Sequence, residues 1–125
     1  MEAKPVLLIV EDDLLVRMLA VEIAEEAGFS ALEATDADEA IRVLQQRPDI
    51  RVVLTDIDMP GSMDGLELAI AIRHRWPPMQ VVLTSGKMRP AADELPERSH
   101  FVPKPYDFSR LSGLLRELGC SEGRP

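Results

Sequence analysis

The chain of 125 residues carries 22 acidic and 14 basic side chains, a formal net charge of −8, and is 46% hydrophobic with one Trp, one Tyr and three Phe. That is enough apolar material for one domain with an aliphatic core, 1–125 with its ordered part at about 5–119, and too little for two. The acidic balance argues against nucleic acid, because gripping a polyanion needs clustered Lys and Arg. Proteins or small ions are the expected partners. Cys120 is the only cysteine, so no intrachain disulfide or thiolate metal site can form, which suits a reducing compartment. No stretch nears membrane-spanning length, and the apolar run behind Met1-Glu2-Ala3-Lys4-Pro5 is too short for a signal peptide. A cytoplasmic protein without membrane contact is expected.

In chain order, Val6 to Val10 is a continuous apolar run bounded by Pro5 and by Glu11-Asp12-Asp13, which reads as a central strand buried on both faces. Val16, Leu19, Ala20, Ile23 and Ala27 recur at helical spacing, and Gly28 closes that helix. Phe29 to Ala34 is a second strand. Asp36 and Glu39 resemble a capping box ahead of Ala40, Ile41 and Leu44, with the helix over before Pro48. Arg51 to Thr55 is the third strand. Leu66, Ala69 and Ile70 mark a helix that must stop before Trp76-Pro77-Pro78. Val81 to Leu83 is the fourth strand, followed by Thr84-Ser85-Gly86. Lys87 to Ser99 holds Pro90 and Pro96 with little periodicity, so a short or broken helix is expected there. His100 to Val102 is a short fifth strand. Phe108, Leu111, Leu115 and Leu118 define the last helix, capped by Asp107, and the tail beyond about residue 120 frays. Strands alternating with helices imply a parallel sheet wrapped by right-handed crossovers.

The third strand ends in Thr55-Asp56-Ile57-Asp58-Met59-Pro60-Gly61, which carries Asp56 to the carboxyl edge of the sheet, where open α/β folds bind ligands. Alone, Asp56 could equally be an Asx-turn residue. The first strand ends in acids too, so two strand ends offer carboxylates to one edge. Asp13 is best read as a helix cap, leaving Glu11 and Asp12 to face the pocket. His74 and His100 read as helix-surface and strand residues, Met59, Met63 and Met88 as packing, and Trp76 as a helix-end anchor.

With these motifs in this order, the chain resembles the CheY-like receiver domains of bacterial response regulators over nearly its whole length. The motifs are the acidic pair after the first strand, Asp56 after the third, Met59-Pro60 and Asp64-Gly65 beside it, a hydroxyl residue after the fourth, and Lys104-Pro105 after the fifth. The resemblance implies a flavodoxin-like five-stranded parallel sheet of order 2-1-3-4-5 with helices on both faces and a weak fourth helix. It implies a phosphoacceptor domain of a two-component phosphorelay, phosphorylated by a histidine kinase or phosphotransfer protein and not otherwise an enzyme.

On that reading Asp56 is the nucleophile that forms an acyl phosphate. Glu11, Asp12, Asp56 and the backbone carbonyl of Asp58 hold Mg²⁺, with Mn²⁺ as a substitute. Lys104 pairs with a phosphoryl oxygen and Ser85 hydrogen-bonds another. Thr84 competes for the hydroxyl role, and Ser85 is preferred because small Gly86 follows it. Ser85 and Phe101 become the moving parts of a switch, although Phe101 also reads as plain core. Lys104-Pro105 is expected to be cis. The clustered acids should raise at least one carboxyl pKa.

Departures from the family pattern are the longer loop at Gly61-Ser62 and the short fourth helix. Asp58 and Lys87 occupy positions that tune hydrolysis in the family, and an ion pair between them across the pocket mouth is expected. The sequence fits both a stand-alone receiver and a segment of a larger protein such as a hybrid kinase. Two other readings remain. Asp56-Ile57-Asp58 resembles the nucleophile motif of haloacid-dehalogenase-type phosphatases, although the acidic pair here comes first. A receiver-like interaction module that no longer takes phosphate would be free to lose this set of residues.

Overall fold

The computed structural model describes residues 4–87 and 89–121, the side chains of 120 and 121 excepted, so Met88 and the end of the expected tail lie outside the described residues. Five strands, β1 (Val6–Val10), β2 (Ser30–Ala34), β3 (Ile50–Asp56), β4 (Gln80–Ser85) and β5 (Ser99–Pro103), form one parallel sheet in the order β2-β1-β3-β4-β5. Between and after them run α1 (Leu14–Glu26), α2 (Ala37–Gln46), α3 (Gly65–Arg75) and α4 (Phe108–Ser121). Among its described residues, the segment between β4 and β5 holds only one 3₁₀ turn, Ala92–Glu94, in keeping with the short or broken helix that its prolines and poor periodicity predict.

The two faces of the sheet bury separate apolar layers. Leu7, Ile9, Val52, Leu54 and Val82 pack with Ala20, Ile23 and Ala24 of α1 and Leu111 and Leu115 of α4. Leu8, Val10, Val53, Val81 and Leu83 alternate with them and pack against α2 and α3, joined by Met59, Met63 and Trp76. A strand covered on both sides needs apolar residues at every position, which is why β1 and β3 lack polar alternation. In the β1–β3 ladder Val6 pairs with Ile50 but Leu7 with Val52, so Arg51 is an extra residue in β3; above it the ladder runs evenly to Val10 opposite Thr55.

Local signals explain the helix ends. The Asp13 carboxylate accepts from Val16 N–H, Asp64 and Glu67 form a complete capping box, and Asp107 accepts from Arg110 N–H. Gly28 (φ 96°) ends α1, with its N–H on the Glu25 carbonyl and that of Phe29 on the Ala24 carbonyl. At α2, Asp36 caps Glu39 N–H as expected, but Glu39 reaches back to the N–H and hydroxyl of Thr35 instead of to Asp36.

Three side chains expected in the core are not there. Leu19 (42% exposed), Ile70 and Phe108 face outward, and on α1 Leu14, Leu15 and Met18 join Leu19 in an exposed apolar strip. The stripe that α1 buries runs through Ala20, Ile23 and Ala24 and on to Ala27 at its C-cap, and Leu19 falls outside it. No helix among the described residues is long and apolar enough to cross a membrane.

Candidate functional site

The carboxyl ends of β1, β3, β4 and β5 supply one rim. Glu11, immediately after β1, is held by its N–H on the Ala34 carbonyl and is only 2% exposed. Its Oε2 accepts from Asp13 N–H at 3.0 Å and its Oε1 from Lys104 Nζ at 2.8 Å. Asp56 closes β3, 6% exposed, with Oδ2 accepting from Lys104 Nζ at 3.1 Å and Oδ1 from Asp58 N–H at 3.2 Å. Carboxylate oxygens of Glu11, Asp12 and Asp56 lie within 4.8 Å of one another. Three hard oxygen donors so close, two of them on buried residues, are a donor set fit for a divalent cation.

Lys104 is fixed at the end of β5 by its N–H on the Ser85 carbonyl at 3.1 Å, and the Lys104-Pro105 bond is cis, as expected. The chain turns tightly below Asp56: Gly65 N–H donates to the Ile57 carbonyl at 3.0 Å. A Cβ at position 65 would come within 2.7 Å of the Ile57 Cα and 2.8 Å of the Asp56 carbonyl carbon, so this position requires glycine for close approach. The added loop residue Ser62 hydrogen-bonds the Asp38 carboxylate at the start of α2, which ties the longer loop down.

The electrostatics follow from burial. Burial pushes the Glu11 carboxyl above its ordinary range against the opposing pull of Lys104 and the Asp13 N–H, and the charge on Asp56 adds a lesser push. A raised carboxyl was expected, but with repulsion between acids as its main cause. Desolvation outweighs repulsion here because Lys104 sits between the two carboxylates. For Lys104, burial works to lower the ammonium pKa, and the hydrogen bonds to Glu11 and Asp56 overcome it, leaving it above the ordinary range.

Ser85, 2% exposed, donates its hydroxyl proton to Asp58 Oδ2 at 2.6 Å and accepts from Lys87 N–H at 3.0 Å. The ion pair expected between Asp58 and Lys87 is therefore not formed. The Asp58 carboxylate is taken by a nearby hydroxyl, while Lys87 contributes its backbone to the same hydroxyl and its side chain stays exposed, where an ion pair would gain little. The neighbouring Thr84 hydroxyl is buried beside the Tyr106 phenol, and no group among the described residues stands at full hydrogen-bond geometry to it. Phe101 lies opposite Leu83 in the β4–β5 ladder, half-buried against the α2–α3 layer, with the Arg89 guanidinium 5.8 Å from its ring centre.

His74 is exposed on α3 and His100 pairs with Gln80, both apart from the acids. A cleft of about 380 Å³ bounded by Pro48, Ile50, Arg51, Trp76 and Met79 lies at the opposite, amino edge of the sheet. Arg17 was not singled out in the sequence: its guanidinium donates to the Glu11 carbonyl at 2.9 Å and to Glu33 at 3.0 Å, clamping α1 to the rim. Nothing in local spacing distinguishes it from a solvated helix residue.

A parallel α/β sheet whose carboxyl rim gathers three carboxylates, a lysine and a hydroxyl defines a site suited to a divalent cation and a phosphoryl group. The chain belongs to the response regulator receiver domain family, which it matches over residues 7–116, and so to the receivers of two-component signalling. It is 30% identical over 115 residues to the sensor kinase CckA of Brucella abortus (strain 2308), a match covering 89% of this chain and 12% of the kinase. It is 34% identical over 110 residues to the nitrogen assimilation regulatory protein NtrX of Azorhizobium caulinodans, covering 84% of this chain and 24% of NtrX. Among solved structures, the receiver domain of NtrX from Brucella abortus is similar at TM-score 0.82 and 29% identity, with 93% of this chain and 99% of that one covered. The receiver domain of the hybrid histidine kinase CckA gives 0.76 and 28%, covering 90% and 97%. The chain thus spans less than a quarter of the length of either curated relative. These likenesses do not favour the phosphatase reading.

Proposed function

We propose that Asp56 accepts a phosphoryl group from a histidine kinase or histidine phosphotransfer protein in a Mg²⁺-dependent step, and that the phosphorylated domain signals by reshaping a protein-docking face. The observation that carries this is Lys104, whose ammonium lies 3.1 Å from Asp56 Oδ2 across 48 residues of sequence. In the transfer, an Asp56 carboxylate oxygen bonds to phosphorus as the bond from phosphorus to the donor's imidazole nitrogen breaks. The electron pair leaves on that nitrogen, which takes up a proton. Lys104 sets a fixed positive charge against one equatorial oxygen, and Ser85 offers a hydroxyl to another.

Glu11, Asp12 and Asp56, with the backbone carbonyl of Asp58, are the donors that would hold Mg²⁺, or Mn²⁺ in its place. When bound, the ion supplies positive charge against the phosphoryl oxygens. Ser85 and Phe101 are the moving parts of the response. The domain's catalysis is confined to its own phosphorylation and autodephosphorylation. A cytoplasmic location goes with this reading, which holds equally for a stand-alone domain and for a segment of a larger regulator or hybrid kinase.

Intact mass after incubation with acetyl phosphate and Mg²⁺ tests it. The wild type should gain one phosphoryl group and Asp56→Asn none. An unmodified wild type would leave the interaction-module reading standing, and multiple turnover of a small phosphate ester would restore the phosphatase.

A further inference from the structure

Three elements converge on the Ser85 hydroxyl: the end of β4, the Asp58 carboxylate from the loop after β3, and the Lys87 amide from the loop after β4. A serine hydroxyl has one proton, and here Asp58 Oδ2 holds it at 2.6 Å. While it does so, Ser85 has none to give to an oxygen on Asp56. Asp58 is itself tethered, since its N–H donates to Asp56 Oδ1. Ser85 is tethered too, through its carbonyl on Lys104 N–H and its register position opposite Pro103.

We propose that the Asp58 carboxylate is a latch on Ser85: it keeps the hydroxyl from Asp56 in the unphosphorylated domain, and so sets the gap that phosphorylation closes when the switch turns. The proposal rests on the reading of Asp56 as the phosphoacceptor. A phosphoryl group on Asp56 opens the latch in two ways. Its oxygens compete for the same proton, and its negative charge repels the Asp58 carboxylate beside it. The Lys87 amide rests on the hydroxyl that is released, so the loop leaving β4 is freed in the same event. Phe101, paired with Leu83 two residues before Ser85, is the large side chain on the adjoining strand placed to respond. A hydrogen bond to a charged acceptor is strong enough for its loss to move the resting equilibrium roughly tenfold to a hundredfold toward the switched form.

Nuclear magnetic resonance of the full chain tests this, following the amides of Ser85, Gly86 and Lys87 and the Phe101 ring with and without beryllofluoride and Mg²⁺. In Asp58→Ala, with nothing added, these signals should move toward the positions that the wild type reaches with beryllofluoride. Asp58→Asn should move them less, because its amide oxygen still accepts but carries no charge. In a Ser85→Ala background the Asp58→Ala effect on Phe101 should vanish. If Asp58→Ala fails to fold, the nearly isosteric Asp58→Asn decides. Signals that stay at wild-type resting positions, or a Phe101 displacement that persists without the Ser85 hydroxyl, overturn the latch. Either result alongside a wild type that takes phosphoryl from acetyl phosphate leaves the acceptor assignment intact. A wild type that takes none overturns that assignment, and the latch with it.

Discussion

Lys104 and Glu11 are joined by a 2.8 Å ion pair between the ends of the last and first strands, and the same ammonium holds Asp56 at 3.1 Å. The lysine is thus a structural counter-charge as well as a group for phosphoryl oxygens. Taking it away leaves Glu11, almost wholly buried, facing Asp56 with nothing between them.

Lys104→Met should therefore lower stability by about 2–4 kcal/mol without divalent cation, the cost of stripping one partner from a largely buried pair. Asp56→Asn should change stability by less than about 1 kcal/mol, because Lys104 still neutralises Glu11. Added Mg²⁺ should narrow the gap between Lys104→Met and the wild type. Urea unfolding followed by the fluorescence of Trp76, the single tryptophan, measures all three. Equal losses in the two variants would mean that Lys104 is not the counter-charge it is taken to be.

Alkaline pH offers a separate check. Burial pushes the phenol of Tyr106 up to about 12. Between the unfolded value of about 10 and that folded value the native state binds the extra proton, so stability falls as pH rises through the window, by up to about 2.7 kcal/mol. Lys104 acts in the same direction. Its ion pairs contribute fully below the unfolded value of 10.5 and are lost as pH climbs through the raised folded value. Tyr106 is the only tyrosine, so tyrosinate absorbance reports it alone. A midpoint near 12 in the folded protein is expected, falling toward 10 in urea. Tyr106→Phe should lose less stability than the wild type over that interval.

Gly65→Ala inserts a methyl against the backbone of Asp56 and Ile57, where neither neighbour is the loose end of a side chain. The expected cost is about 1–3 kcal/mol, as for other overpacked sites. Displacement of Asp56 should also slow uptake from acetyl phosphate, and time-resolved intact mass would detect this. Normal stability with normal uptake would show that the turn has slack which the structure does not suggest.

The strands and their acidic ends were legible in the sequence itself, and the resemblance to receivers supplied the sheet order. The apolar runs of β1 and β3 stop at acids, Gly28 and Asp107 mark helix ends, and Pro90 and Pro96 stand in the segment before β5 that holds only a 3₁₀ turn among its described residues. These features depend on local pattern. The partners of Asp58 were not legible, because the choice between the Lys87 ammonium and the Ser85 hydroxyl depends on side-chain geometry where two loops meet. The clamp by Arg17 and the outward turn of Leu19 escaped for the same reason. Each is fixed by which side of α1 is turned to the sheet and its rim, which periodicity alone does not encode.

The extra residue at Arg51 bears on how this strand can change length. Deleting it would make Ile50 and Val52 adjacent, opposite Val6 and Leu7 where they already stand, and the ladder would close with no slip. Ile50 and Val52 serve opposite layers, as neighbours in a strand do, so neither side chain would have to turn. The strand thus carries one residue more than its register needs, and the height at which the acid stands is insulated from the loss of that residue at the foot.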